Sequence, residues 1–427
     1  MLALSAALVF WAGLSLGGQM IGRDAGERAA IEAFAQAYQR ITDLYIGEWD
    51  PAEVREAAIG AMFDTLDDPY SIYMGADEYA ARFEDISGEF GGVGAVMQTV
   101  DAAGDVCEVV GDGCRLEVVE VLPETPAETA GLLAGDRITG VDGEPISGLT
   151  ISDTVTLIRG PAGSDVVLAL ERDAEPQELT ITRDRIVTQD VRSATVADGR
   201  VGYVLIDNFT ANAADDFEAA LREQLDAGVE ALIVDVRGDP GGFVDAAVSV
   251  TSQFIGDGPV FWEENADGER VSIDARPGGL ATDLDLPLAV LVDRGSASAS
   301  ELMAGALQDA GRAILVGEPT FGKGSVQEWT RLPSGSGGFR LSVANWLTRD
   351  QRVIEDVGLQ PDVLVVPSGT YFRGAEGADP QADVQMATAI AQLLDQPLPE
   401  PPPSTTLPVE VEVEGSPGPD EDGASSE

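Results

Sequence analysis

From Val201 onward, short apolar runs alternate with amphipathic ones, and this alternation restricts the second half of the chain to a layered α/β fold. The runs at 202–207, 231–236, 287–292 and 313–317 read as strands. Phe217, Leu221 and Leu225 mark one helix by their spacing, and helical patterns recur at 243–254 and 299–310. Strands joined through helices pair in parallel by crossover connections, so ligand-binding loops belong at the carboxyl ends of the strands.

The 427 residues exceed what one ordinary core organises, and the chain divides by composition. Residues 1–22 are apolar and uncharged, as in a signal peptide or a membrane anchor. Either one exports the remainder, which is therefore expected on the periplasmic or extracytoplasmic side of a bacterial envelope. Residues 27–86 form a helical region, with Ile31, Phe34, Tyr38, Ile41 and Tyr45 along one stripe, expected to be a packing or dimerisation arm. Short β-like runs follow over 87–185, opened by Gly88-Glu-Phe-Gly-Gly-Val-Gly94. The run Pro126-Ala-Glu-Thr-Ala-Gly-Leu-Leu-Ala-Gly-Asp-Arg-Ile-Thr-Gly-Val-Asp-Gly143 reads as short helix, turn, strand and hairpin turn, and it resembles the PDZ signature. Leu157-Ile-Arg-Gly160 and Val166-Val-Leu-Ala-Leu170 resemble the later helix end and strand of that module. The α/β core occupies 186–396, and 397–427 is a Pro-rich acidic tail expected to be disordered.

Composition excludes several chemistries. A net charge of −50 repels nucleic acid and anionic lipid surfaces. Histidine is absent, and two cysteines cannot make a four-thiolate zinc site, so neither a metal nor a cofactor is expected. Cys107 and Cys114 flank a Gly-Asp-Gly turn at a spacing that a short hairpin could close with a disulfide, the alternative being two free thiols on a loop. All but one of the 25 basic residues are arginine, and the exception is Lys323. Arginine matches the charge of lysine but does not deprotonate, so the one retained lysine points to a function that needs a neutral amine.

Three loops fall where an α/β sheet places a site: Arg237-Gly-Asp-Pro-Gly-Gly242, Gly295-Ser-Ala-Ser-Ala-Ser-Glu301 and Thr320-Phe-Gly-Lys-Gly-Ser-Val-Gln327. A hydrolase needs a nucleophile, a base and donors for a developing oxyanion, and these loops offer one of each. Ser296, Ser298 and Ser300 all precede a helix whose amide end favours an anion, and the loop sequence alone does not choose among them. Ser298 with Glu301 also fits a capping box, a purely structural role. Gly322 and Gly324 leave the Lys323 amine unobstructed, and Gln327 could reach back to orient it without charging it.

Together these loops resemble the C-terminal processing peptidases, or tail-specific proteases. The likeness also takes in Leu66-Asp-Asp-Pro-Tyr-Ser-Ile-Tyr73, Phe90-Gly-Gly-Val-Gly94, the PDZ run and Gly358-Leu-Gln-Pro-Asp362, and so spans most of the chain. It implies an α/β protease core of crotonase- or ClpP-like layers, with an inserted β-rich PDZ domain and an N-terminal helical arm. It implies Ser298 as nucleophile, Lys323 as base and Gln327 as its support, with an oxyanion hole from the amides of Ala299 and of Gly241 or Gly242. Two positions depart from the family pattern: Asp239, where asparagine is frequent, and Tyr70, where histidine is common. An inward-pointing Asp239 carboxylate would place a charge near the oxyanion site.

The expected activity is a serine endopeptidase acting on peptides or proteins with free C-termini, with an adaptor protein or a homodimer as further partners. The PDZ module would add a substrate tail as an extra strand and hold its carboxylate on the backbone of Phe90, Gly91, Gly92, Val93 and Gly94, with Arg159 coupling that groove to the core. Two other readings are a non-catalytic PDZ scaffold with a protease-like domain and an acyl-transfer enzyme of the crotonase kind. Intact Ser298, Lys323 and Gln327 argue against the first, and the second needs neither a PDZ module nor export.

Overall fold

The computed structural model describes residues 25–282, 285–368, 371–374 and 378–399. The apolar segment 1–22 and residues 400–427 of the acidic tail lie outside them. Among the described residues no helix is long and apolar enough to cross a membrane.

The chain forms two compact units, one from residues up to Arg82 with 327–343, the other from 83–326 with 344 onward. The elements in chain order begin with α1 (Ala25–Leu44), α2 (Pro51–Asp64), β1 (Ile72–Met74) and α3 (Ala76–Ser87). The β-rich stretch follows as β2 (Glu89–Gly92), β3 (Ala95–Val100), β4 (Arg115–Val121), α4 (Pro126–Ala130), β5 (Arg137–Val141), β6 (Glu144–Pro145), α5 (Ile151–Ile158), β7 (Asp165–Arg172), β8 (Glu175–Thr182) and β9 (Asp184–Val187). The remainder comprises β10 (Val191–Val196), β11 (Val201–Ile206), α6 (Ala213–Asp226), β12 (Ala231–Asp235), α7 (Val244–Ser252), β13 (Pro259–Glu264), β14 (Arg270–Asp274), β15 (Leu288–Val292), α8 (Ala299–Asp309), β16 (Ile314–Gly317), β17 (Ser325–Arg331), β18 (Gly338–Leu347), β19 (Val363–Leu364) and α9 (Val384–Leu393).

In the first unit, α2 starts on Asp50, whose side chain accepts the Ala52 amide at 2.7 Å, with Pro51 at the first helical turn. β1 runs antiparallel to the start of β18, pairing Ile72 with Arg340 and Met74 with Gly338. The α1 stripe is not a buried seam among the described residues, since Ile31, Phe34, Ile41 and Tyr45 remain exposed.

The second unit is built on a sheet of order β10-β11-β12-β15-β16-β19, in which only the β10–β11 pair is antiparallel. Alternate residues of these strands feed different cores, as the two-residue period of a strand requires. Val204, Ile206, Leu232, Val234, Val290 and Leu315 pack with α6, α7 and α8. Tyr203, Leu205, Ile233, Ala289, Leu291 and Val316 pack with Met386, Ala389 and Ile390 of α9. Helices therefore cover both faces. The PDZ-like stretch has its own core, centred on Leu116, Ile138, Val166 and Leu168, under an antiparallel sheet of order β3-β4-β5-β7-β8. Here β3 is an edge strand, and Cys107 and Cys114 are joined by a disulfide with Cα atoms 6.0 Å apart.

Arg237 fastens α9 to the sheet. Fully buried, it reaches Asp235 at 2.7 Å, Asp383 at 2.8 Å and the Gln385 side-chain oxygen at 2.9 Å. Removing one member of such a network leaves its partners charged and dry. Arg237→Met is expected to lower stability by about 3–5 kcal/mol, read from the urea unfolding midpoint.

Candidate active site

The three candidate loops follow β12, β15 and β16, which are consecutive in the sheet. Parallel neighbours end at the same edge, so all three loops emerge side by side.

The loop after β15 separates its three serines. Ser296 is fully buried, donating its hydroxyl to the Val236 carbonyl at 2.8 Å. Ser300 is likewise buried and donates to the Asp239 carbonyl at 3.0 Å. Ser298 is half-exposed, and its hydroxyl donates to no acceptor among the described residues. It precedes the first turn of α8 with φ 56° and ψ −113°, a strained conformation for a residue bearing a Cβ. Strain of this kind persists only where the surroundings enforce it.

The enforcing group is Glu301, which has no exposed surface. One oxygen, Oε2, accepts the Ser298 amide at 2.8 Å and the Lys323 amide at 2.9 Å. The other, Oε1, accepts the Gly322 amide at 2.7 Å and the Thr320 hydroxyl at 2.5 Å. Burial raises this carboxyl pKa overall, against the opposing bonds from Thr320, Lys323, Gly322 and Ser298. One acceptor oxygen thus bounds the separation of the serine and lysine backbones. The Phe321 amide adds a bond to the Ser296 carbonyl at 3.0 Å. Lys323 is half-buried, its carbonyl accepting the Trp346 indole N–H at 2.9 Å, and the next amide, Gly324, donates to Glu355. Leu359, from the Gly-Leu-Gln-Pro-Asp motif, donates its amide to the Thr320 hydroxyl at 2.7 Å and so braces the same loop.

The loop after β12 also reaches the serine. A Cβ on Gly241, at φ 103°, would fall 2.9 Å from both the Ser298 Cβ and the Ala299 amide nitrogen, so only glycine fits there. The Gly241 amide is itself engaged, donating to Asp239 Oδ1 at 2.8 Å. The amides of Gly242 and Ala299 donate to nothing among the described residues. Asp239 is fully buried, and burial pushes its carboxyl pKa well up. The charge expected beside the oxyanion position is therefore disfavoured by its own surroundings.

Gln327 belongs to the first unit, where its side-chain amide donates to the Ser342 hydroxyl at 3.3 Å. Ser342 in turn donates its amide to the Ser71 hydroxyl, which donates to Asp68, linking the strand of Gln327 to the Leu-Asp-Asp-Pro-Tyr-Ser motif. Tyr70 has its amide on Asp68 and its carbonyl on Arg340.

In the PDZ-like stretch, Phe90, Gly91 and Gly92 pair with β9 in a two-stranded antiparallel sheet. The carbonyls of Val93 and Gly94 accept the Ala127 and Leu122 amides at 2.8 and 3.0 Å, while their own N–H groups have no acceptor among the described residues. Gly91 must lack a side chain, because a Cβ would fall 2.0 Å from the Gly160 carbonyl oxygen. Arg159, at the end of α5, lies 4.1 Å over the Phe90 ring and pairs with Asp85 at 2.7 Å.

Residues 200–365 match the model for peptidase family S41, 117–172 match a PDZ domain, and 18–78 match the N-terminal domain of the activating protease CtpB. The chain belongs to peptidase family S41, as a PDZ-containing carboxy-terminal processing protease. It is 36% identical to the "Carboxy-terminal-processing protease" of Bartonella bacilliformis over 78% of this chain and 75% of that one. It is 32% identical to "Carboxy-terminal processing protease CtpB" of Bacillus subtilis over 82% of this chain and 71% of that one. Among solved structures, the photosystem II D1 C-terminal processing protease shares 31% identity, covering 77% of this chain and 86% of that one with a TM-score of 0.46.

Sequence reasoning saw Glu301 only as a capping residue. The Ser-x-x-Glu spacing reveals its bond to Ser298, but nothing local reveals that the lysine loop supplies its other three donors. Glu301→Gln replaces an acceptor oxygen with a donor facing N–H or O–H groups. The expected loss is about 2 kcal/mol of stability, measured by urea denaturation.

Proposed function

We propose that this chain is a serine endopeptidase that cuts exported proteins selected by their C-terminal tails, with Ser298 as nucleophile and Lys323 as general base. The observation that carries this reading is the sharing of Glu301 Oε2 by the Ser298 and Lys323 amides, with the Ser298 hydroxyl alone among the three serines uncommitted as a donor. Neutral Lys323 takes the Ser298 proton as Oγ attacks the peptide carbonyl. The oxyanion is received by the Ala299 and Gly242 amides at the amino end of α8, where the helix dipole favours negative charge. The protonated amine then gives its proton to the leaving nitrogen, and water, deprotonated by the same amine, hydrolyses the acyl-enzyme. Gln327, four residues beyond Lys323, is the residue the family resemblance assigns to orienting that amine.

Selection falls to the PDZ module. A substrate tail adds to the open edge of β3, and its carboxylate takes the unspent amides of Val93 and Gly94. Arg159, bridging Phe90 of this loop and Asp85 of α3, suits a coupling between tail binding and the core. The apolar residues 1–22 suit export or anchoring at the envelope, and helices on both faces of the parallel sheet suit a crotonase- or ClpP-like core.

Ser298→Ala and Lys323→Ala should each lower kcat/KM on an unstructured peptide with an apolar free C-terminus by about a hundredfold or more. Full activity in Lys323→Ala would overturn the assignment, since no other lysine exists to replace it. Activity should rise with pH as Lys323 loses its proton, measured between pH 6 and 9 by about half-unit steps. Peptides ending in an amide should be cut much more slowly than their free-acid counterparts, and equal rates would remove the tail-binding step.

A further inference from the structure

Asp239 lies behind the Pro-Gly-Gly loop with no exposed surface. Its Oδ1 accepts the Gly241 amide at 2.8 Å, while Oδ2, equally buried, has no hydrogen-bond partner among the described residues. Nearby cations are committed elsewhere: Arg237 to Asp235 and Asp383, and Arg373 to Asp207 and the Arg237 carbonyl. The charges that act on Asp239 are the carboxylates of Asp207 and Asp190, both repulsive to a further anion. Asp293 is occupied by the Gly238 and Gly295 amides, and Glu301 by the donors that also position Lys323. An ionised Asp239 would thus be a dry anion held by a single carboxylate hydrogen bond to Gly241, with an unpaired oxygen. The neutral acid fits this setting: one oxygen keeps the Gly241 bond and the other carries the proton. Burial, then the carboxylates of Asp207 and Asp190, push the carboxyl pKa well above its ordinary value against the bond from Gly241, while the Ser300 hydroxyl donates to the Asp239 backbone carbonyl.

The position matters because the Gly241 backbone abuts the nucleophile. Its absent Cβ would lie 2.9 Å from the Ser298 Cβ and from the Ala299 amide nitrogen. The Asp239 carboxyl is therefore one hydrogen bond removed from the peptide that walls the oxyanion position. We propose that Asp239 serves the site as an uncharged carboxylic acid, a positioning residue for the Pro-Gly-Gly loop, and that its ionisation shuts the enzyme down at high pH. Ionisation would set a negative charge beside amides that must receive another one, in a setting with little water to screen it. This inference rests on the Ser298 and Lys323 reading, in which the base alone would give activity that rises with pH and stays high.

The test compares the kcat/KM profiles of the wild-type full chain and Asp239→Asn on an internally quenched peptide with a free apolar C-terminus. Asparagine keeps the acceptor for Gly241 and cannot ionise. The wild type should give a bell-shaped profile and Asp239→Asn a single ascending limb, so that the ratio of activity at high pH to that at neutral pH rises about tenfold or more. A descending limb shared by both proteins, or a wild type without one, overturns the proposal. A second measurement does not need turnover: infrared difference spectra of Ser298→Ala against Ser298→Ala with Asp239→Asn. The difference should contain a protonated carboxyl band at neutral pH that converts to carboxylate on alkalinisation, and carboxylate bands alone would overturn it. Cleavage persisting in Ser298→Ala would instead refute the dyad reading, and the infrared result would still decide the state of Asp239.

Discussion

A carboxylate sealed from water must have its lone pairs filled or give up its charge, and in this protein that demand organises the site. Glu301 sits at the start of α8 with no surface exposed, and its four bonds come from Ser298, Thr320, Gly322 and Lys323. The serine and lysine loops are short of apolar side chains of their own and gain definition by solvating one acid. The sheet makes this possible. β15 and β16 are parallel neighbours, pairing Val292 with Gly317, so the segments that leave them can converge on a single group. Ser298 is held in a strained backbone conformation because its amide is one of those four donors.

The third loop works by the opposite rule. Asp239 is as deeply buried as Glu301, yet receives one carboxylate bond from Gly241 and faces two further acids. Two buried carboxyl groups near the same serine are thus solvated to different extents, four hydrogen bonds against one, and burial raises the pKa of both, that of Asp239 well above its ordinary value. Arg237 stands two residues before Asp239 in the chain but spends its charge on Asp235 and Asp383, fixing α9 rather than neutralising the loop.

The sheet was legible because its strands are buried on both faces and read as continuous apolar runs. The expected strands at 202–207, 231–236, 287–292 and 313–317 are found at 201–206, 231–235, 288–292 and 314–317. The expected helices at 243–254 and 299–310 run over 244–252 and 299–309. The hairpin 259–274 and the long strands 325–331 and 338–347 escaped, since most of their residues are only partly buried and they carry charged and aromatic side chains without clean alternation. For the site, motif order located the loops, and Lys323 stood out by count alone. Which serine is left uncommitted was not readable, because Ser296 and Ser300 are spent on Val236 and Asp239, some 60 residues away in sequence. The α1 stripe had the right period for burial, but period does not supply a surface to pack against.

The open edge of β3 has a cost that reaches beyond a single molecule. Only the C-terminal end of β3 is bridged, Val100 to Val106, and the edge left to receive a peptide is equally a template for the same strand of another copy, with Val96 on β3 and Val119 on the adjoining β4 already exposed. Proteins commonly guard such edges by bulges or by charge. The β3–β4 ladder shifts register between Val96 and Met97, and the whole chain carries −50. Mutual repulsion at that scale disfavours sheet extension between copies while leaving a short, nearly neutral tail free to approach. Extreme acidity thus acts as colloidal protection for an edge that cannot be capped without losing its purpose, and that protection weakens as salt rises.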